Sequence, residues 1–98
     1  MATYAPFNFL ATATTTAAAL TTSTNVLHGV TLKAAAANSG KVHIGFSSAV
    51  TTATAGTAGM ELSAGESYFV TPDECTGNAQ NIYIISTTGT QSVFAKGM

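Results

Sequence analysis

Residues that could bind a metal ion or attack a substrate are few and scattered in this sequence. The candidate metal ligands are His28 and His43, which lie on the two strands of one hairpin if Asn38-Ser39-Gly40 is its turn. His43 then faces Ala36, and His28 is about seven or eight residues further on, which at ~3.3 Å per residue separates the imidazoles by more than about 20 Å. The sequence therefore predicts no metal site. Cys75 is the only cysteine, so we expect a passive thiol beside a loop and no disulfide within the chain.

The four carboxylates also lack the arrangement that catalysis requires. A glycosidase needs two carboxyl groups roughly 5–10 Å apart across a cleft. Glu61 and Glu66 flank one turn, where carboxylates are commonly solvated, and Asp73 and Glu74 fit the start of a helical turn, whose dipole favours anions. No Gly-x-Ser-x-Gly elbow, P-loop, Cys-x-x-Cys pair or dinucleotide fingerprint occurs. The sequence thus predicts no catalytic residue and no cofactor, and we expect that the protein is not an enzyme.

Charge is sparse along the whole chain. Charged residues make up 7% of the sequence, arginine is absent, and the formal net charge is −1. The cations are too few and too dispersed to displace counterions from a nucleic acid or to bind an anionic membrane surface. They are Lys33, Lys41 and Lys96. Because copies with so few charges repel one another little, this composition suits dense packing of identical subunits.

Targeting signals are also missing from the pattern. Residues 1–20 contain no lysine or arginine, whereas a secretory signal begins with a basic region. No apolar run reaches the roughly 20 residues that cross a bilayer. We therefore expect a protein that is made in the cytoplasm and has neither a nucleic-acid nor a membrane partner.

The first part of the chain differs in composition from the rest. We divide the 98 residues into an Ala/Thr-rich arm or first strand, residues 1–24, and one β-sandwich domain, residues 25–98. The alternation in Ala11-Thr12-Ala13-Thr14 predicts a strand, with a helix at residues 16–20 as the alternative because alanine favours helix. An uncharged arm with three aromatic residues must cover either its own domain or a neighbouring copy. These aromatics are the interface anchors that we expect, namely Tyr4, Phe7 and Phe9.

Two alternating segments on either side of a turn give the strongest strand signal. Val42, Ile44 and Phe46 alternate with polar or small residues, and residues 26–33 alternate in the same way before the Asn38-Ser39-Gly40 turn. Glycine supplies the positive φ that a tight turn needs. The pattern therefore predicts that these two segments pair as one hairpin.

Strand and turn signals continue to the end of the chain. Residues 66–70 and 92–95 have the composition of strands, and residues 81–86 are apolar on both faces, which is typical of a central strand. Thr71-Pro72-Asp73-Glu74 has the residue types of a capping box before one helical turn. About six to eight short strands with regular turns predict an all-β fold, namely a small antiparallel β-sandwich or jelly-roll-like barrel with an extended N-terminal arm.

Three short motifs carry a resemblance to a known family. In chain order they are Val42-His43-Ile44-Gly45, then Leu62-Ser63-Ala64-Gly65-Glu66-Ser67 after a Thr-rich segment, and Ile82-Tyr83-Ile84-Ile85-Ser86. This order resembles small β-sandwich proteins from the structural gene modules of tailed bacteriophages, including capsid decoration (cement) proteins. The likeness covers residues 25–95 and brings no catalytic residue with it.

The resemblance implies a structural virion protein that binds the outer surface of an assembled capsid and stabilises it. Its partners would be the major capsid protein and further copies of itself, with a trimer as the expected oligomer. The protein would be made in the host cytoplasm and end on the capsid surface. Two alternatives stay open: another virion component, such as a head spike, tail or fibre base, and a non-viral carbohydrate-binding β-module, although such modules usually present planar aromatics and the sequence has no tryptophan.

Overall fold

Two antiparallel sheets contain the strands of this chain. The computed structural model describes residues 5–52 and 59–98, and within them each sheet has four strands. Sheet A contains, in spatial order, β1 (Phe7–Ala13), β8 (Gln91–Gly97), β3 (Val30–Ala34) and β6 (Ser67–Val70). Sheet B contains, in spatial order, β2 (Ala18–Ala19), β7 (Tyr83–Ser86), β4 (Val42–Gly45) and β5 (Met60–Leu62). The predicted all-β sandwich is therefore confirmed.

Sheet A has a clear alternation between core and solvent. In β3, Val30, Leu32 and Ala34 are buried, whereas Thr31 and Lys33 are exposed. The predicted last strand, β8, is antiparallel to both of its neighbours, β1 and β3. One face of this sheet therefore supplies the core and the other faces outward.

Sheet B is buried on parts of both faces. Its strand β7 lies between β2 and β4, so the central strand predicted at residues 81–86 is confirmed, although the strand begins at Tyr83 after a 3₁₀ turn at Ala79–Asn81. Ile84 faces the core, and Ile85 points outward but is also buried. Burial on both sides explains why this segment has no polar face.

The core between the sheets is almost entirely aliphatic. Phe7, Phe9 and Tyr68 pack against its border and are partly buried. Cys75 is fully buried, and its Sγ lies 3.6 Å from the carbonyl oxygen of Thr71. The largest fully buried side chains are Leu32, Ile82, Ile84, Val26, Val30, Val42, Val70 and Val93.

The hairpin predicted around residues 38–40 is wrong. β3 belongs to sheet A and β4 to sheet B, so the chain crosses between the sheets there. Asn38 holds the crossing: its Nδ2 donates to the carbonyl oxygen of Ser92 at 2.9 Å, and its Oδ1 accepts the N–H of Ser92 at 2.9 Å. Alternation shows which side chains face a core, but both sheets face the same core, so it does not assign a strand to a sheet.

The strand before this crossing also starts later than the pattern predicts. The N–H groups of Leu27, His28 and Gly29 all donate to the carbonyl oxygen of Met98, at 2.9, 2.6 and 3.3 Å. This convergence bends the backbone, and β3 begins only at Val30. His28, expected on the face of Val30, is therefore exposed in the bend.

The described part of residues 1–24 lies on its own domain. β1 pairs with β8 along its whole length, and Ala11 and Ala13 belong to the core. Ala18–Ala19 form β2 and pair with β7, so the helix considered for residues 16–20 is not formed. Of the two positions considered for the arm, its described residues occupy the first, against their own sheets.

Candidate functional site

The two histidines lie in different parts of the sandwich. His28 is exposed before β3, whereas His43 is in β4 and is 5% exposed. Across residues 5–52 and 59–98, no group of three or more His, Cys, Asp or Glu side chains could hold a metal ion. The candidate ligands considered from the sequence are therefore not brought together in that part of the chain.

His43 belongs to a short polar row on the outer face of sheet B. Its Nε2 lies 3.6 Å from Oε2 of Glu61, and Nζ of Lys41 lies 3.0 Å from Oε1 of the same carboxylate. The hydrogen bond from Lys41, and then its charge, hold the pKa of Glu61 below its ordinary value. Nδ1 of His43 is buried and has no hydrogen-bond partner among the described residues. The carboxylate of Glu61 is therefore shared between a lysine and a histidine on this face.

Two other carboxylates stabilise nearby backbone. Oε1 of Glu66 accepts the N–H of Ser63 at 2.7 Å. Oε1 of Glu74 accepts the N–H of Thr71 at 3.0 Å, while Oγ1 of Thr71 accepts the N–H of Glu74 at 3.3 Å. This reciprocal pair confirms the capping box predicted at residues 71–74.

Glu74 also holds the side chain of Tyr68. The hydroxyl of Tyr68 donates to Oε2 of Glu74 at 2.8 Å, and this bond raises the pKa of Tyr68. The N–H of Thr71, followed by the hydroxyl of Tyr68, lowers the pKa of Glu74. The carboxylate therefore ties β6 to the turn that follows it, which is a structural role.

The outer face of sheet A carries large exposed apolar side chains. Leu10, Phe94 and Phe69 are 58%, 51% and 54% exposed. Leu10 lies opposite Phe94 in the pairing of β1 with β8, and Phe69 lies opposite Thr31 in the pairing of β6 with β3. Alternation along the four strands gives this face the residues Asn8, Leu10, Thr12, Thr31, Lys33, Ser67, Phe69, Ser92, Phe94 and Lys96.

Two lysines make the same face positive. Lys33 lies opposite Phe94, and Lys96 lies opposite Thr31. Neither lysine has an ion-pair partner among the described residues, and none of the carboxylates is an outward-facing residue of sheet A. Those carboxylates are Glu61, Glu66, Asp73 and Glu74. The face therefore combines apolar side chains with positive charge that pairs with no described carboxylate.

Two of the three aromatic residues expected at an interface lie on the other side of this sheet. Phe7 and Phe9 are core-facing residues of the edge strand β1, half-buried, with stacked rings whose centroids are 6.0 Å apart. Tyr4, the third expected anchor, lies outside the described residues. The prediction that these residues form an interface stays a prediction.

Sequence reasoning missed Leu10 and Phe94 as candidate binding residues. A usable signal existed, because Phe94 and Lys96 alternate with the small apolar residues Val93 and Ala95, which places an aromatic ring and a charge on one face. No such signal shows that Leu10 lies beside Phe94, because the two residues come from opposite halves of the chain and meet only when β1 pairs with β8.

Comparisons with protein-family models, with curated proteins and with solved structures found no match to this chain. No helix in the part of the chain that the structure describes is long and apolar enough to span a bilayer. The outer face of sheet A, with Leu10, Phe69 and Phe94 exposed, is the candidate binding surface of the described residues.

Proposed function

We propose that this chain is a structural virion protein that binds the outer surface of an assembled phage capsid and stabilises it. The outer face of sheet A carries the proposal, because Leu10, Phe94 and Phe69 are exposed there beside two lysines. Leu10 and Phe94 lie directly opposite each other there, and neighbouring exposed apolar side chains of this kind mark protein-interaction sites. The resemblance of residues 25–95 to capsid decoration proteins supplies the class of partner, the major capsid protein.

The chemistry of the face favours a particular kind of shell surface. Apolar hollows would accept Phe94 and Leu10, since aromatic side chains are frequent among the residues that dominate interface energies. Carboxylates near those hollows would complement Lys33 and Lys96, which steers the encounter and sets the orientation. Binding is then expected to weaken as the salt concentration rises.

Repetition over a capsid makes weak contacts sufficient. Each shell presents the same site many times, and a molecule that touches two neighbouring shell subunits binds the assembled lattice more tightly than a free subunit. Any protein that binds the assembled state preferentially stabilises it by mass action. The domain can therefore act as a clamp without a catalytic or covalent step.

Copy number in purified particles is the first test of this role. We expect quantitative mass spectrometry of gradient-purified virions to find this chain at parity with the major capsid protein or at a simple fraction of it. A handful of copies per particle would support a vertex, tail or fibre-base component instead. Complete absence from the particles would contradict any virion role.

A pair of phenylalanine variants tests the binding face. Phe94→Ser removes a ring from the outer face of sheet A, while Phe46→Ser removes one that is 41% exposed next to β4 in sheet B. In cosedimentation with shells that lack this protein, we expect Phe94→Ser to bind at least about tenfold more weakly than wild type. Phe46→Ser should bind as wild type does. Equal binding by both variants would exclude this face as the docking site.

A further inference from the structure

The free edge of β1 is unusual among the sheet edges in the described part of the chain. The edge strands are β1 and β6 in sheet A and β2 and β5 in sheet B. β2 has two residues, β5 has three including Glu61, and β6 has four that directly follow Glu66. β1 has seven residues and no charge. Since proteins usually protect sheet edges by short length, charge or proline, this long uncharged edge is open to pairing with another strand.

The hydrogen bonds of Ser92 show which backbone groups of β1 are unpaired. Its N–H donates to Oδ1 of Asn38 at 2.9 Å and its carbonyl accepts the N–H of Ala35 at 3.0 Å, so both groups point toward the β3 side. Along an antiparallel strand, successive residues direct their backbone N–H and C=O groups to opposite sides. The odd-numbered residues of β8 therefore bond to β1, and the residues that they pair with in β1 are also odd-numbered. The even-numbered residues of β1 direct their backbone groups to the free edge, where no described residue bonds to them. They are Asn8, Leu10 and Thr12.

We infer that β1 pairs with β1 of a second copy, antiparallel and centred on Leu10, so that two sheets A join into one continuous sheet. In this register Leu10 lies opposite Leu10 of the second copy, and Asn8 lies opposite Thr12. Each outward-directed residue therefore meets another outward-directed residue, and every exposed backbone N–H and C=O among them gains a partner. Pro6, which has no N–H, ends the ladder beyond Asn8.

The side chains of this register match on both faces. On the outer face, the Leu10–Phe94 row of one copy continues into Leu10 and Phe94 of the second. On the core side, Phe9 lies opposite Ala11 and Phe7 opposite Ala13 of the second copy, so the half-buried rings at the edge gain cover from small residues. A shift of the register by two residues would place Leu10 opposite Asn8 and lose the apolar row. The pairing is a property of the purified chain and does not depend on the capsid role.

The mass of the purified chain in solution tests the pairing. Sedimentation equilibrium is expected to give the mass of two copies of the 9.8 kDa chain. Leu10→Lys would place two like charges opposite each other at the two-fold axis and is expected to weaken the dimer at least about tenfold. Phe46→Lys adds the same charge at an exposed side chain next to β4 in sheet B, away from the edge of β1, and should stay dimeric. A monomeric wild type, or a dimer that Leu10→Lys leaves unchanged, would overturn the pairing, and a trimer would do so in favour of the threefold expectation.

Cysteine cross-linking tests the register itself. Directly opposite bonded residues have Cα atoms about 5.5 Å apart, inside the range of about 4.4–6.8 Å that a disulfide spans. Mild oxidation should therefore cross-link Leu10→Cys into a covalent dimer. Asn8→Cys, which faces Thr12 in this register, should stay uncross-linked, and the native Cys75 is buried and does not compete. Cross-linking of both variants, of neither, or of Asn8→Cys alone would overturn this register.

Discussion

The outer faces of the two sheets differ in what covers them. On sheet B, His43 and Ile85 point away from the core yet are buried, and the chain after β4 folds back so that Val50 lies against Gly45. On sheet A, Phe94 also points away from the core, but half of its surface is exposed. Within residues 5–52 and 59–98, the chain thus covers part of one outer face with its own side chains and leaves the other open.

This difference predicts that the two outer faces contribute unequally to the stability of the fold. A domain of this size buries a modest fraction of its surface between two sheets, and the covered outer face of sheet B adds apolar burial to that core. The half-exposed apolar side chains on the outer face of sheet A bury less surface, so substitutions on the two faces are expected to differ in their effect on stability.

The largest contrast is expected between Ile85→Ala and Phe94→Ala. Ile85→Ala removes buried apolar volume from the outer face of sheet B and should cost about 2–4 kcal/mol of unfolding free energy. Phe94→Ala removes a half-exposed ring from sheet A and should cost less than about 1 kcal/mol. Urea denaturation of both variants measures the two values. Equal losses would mean that the two faces contribute alike to the fold.

A smaller effect should show that Val50 covers sheet B. A Cβ added at Gly45 would lie 2.5 Å from Cγ2 of Val50, so Gly45→Ala overpacks this contact and should cost about 1–3 kcal/mol. Val50→Gly in the same chain removes both Cγ2 and Cβ of Val50, which would lie 2.5 and 2.7 Å from the added Cβ, and the double variant should lose less stability than the sum of the single variants. Additive losses in thermal or urea unfolding would show that the two residues do not touch.

The smallest expected effect concerns an ion pair on sheet B. Lys41 and Glu61 pair there, whereas Lys33 and Lys96 on sheet A have no ion-pair partner among the described residues. The pKa of Glu61 is lower in the folded chain than in the unfolded chain. The ionised carboxylate therefore stabilises the fold above its unfolded pKa, and this stabilisation is lost as the pH falls through the folded pKa, below about pH 4.5. Lys41→Gln removes the first cause of the shift and should raise the pKa of Glu61 toward its ordinary value, with little change in stability at neutral pH because the pair is exposed.

An NMR titration of the Glu61 carboxyl carbon measures this change. Lys33→Gln is the matched control, since Lys33 lies on sheet A and should leave the Glu61 titration unchanged. An unaltered midpoint in Lys41→Gln, or an equal shift in both variants, would contradict the proposed pairing of charges on sheet B.

Sequence reasoning succeeded where the determinants are local. The capping box at residues 71–74 was predictable because a threonine and a glutamate three residues apart satisfy each other's backbone. The central position of β7 followed from its lack of a polar face. In both cases the physical cause lies within a few residues of the element itself.

The prediction that β3 and β4 pair as one hairpin was wrong because the contact that separates them involves a distant part of the chain. Asn38 binds both backbone groups of Ser92, and no pattern near residue 38 shows that contact. Alternation correctly placed His43 on the outer face of β4, away from the core-facing residues. It did not show that this face is covered, because the covering residue Val50 comes from the chain after the strand. The candidate binding face was predictable only in part, since Phe94 and Lys96 alternate visibly but their neighbours come from three other strands.

The central place of β8 in sheet A has a consequence for how the protein is made. β1 has no partner in sheet A until β8 has left the ribosome, because β8 lies between β1 and β3. Pairing between such distant segments is slow, on the order of milliseconds to seconds for sandwich folds. The row that joins Leu10 to Phe94 therefore does not exist on a growing chain. Only a molecule that has completed synthesis of β8 and folded can present it, so an unfinished chain lacks the proposed binding surface.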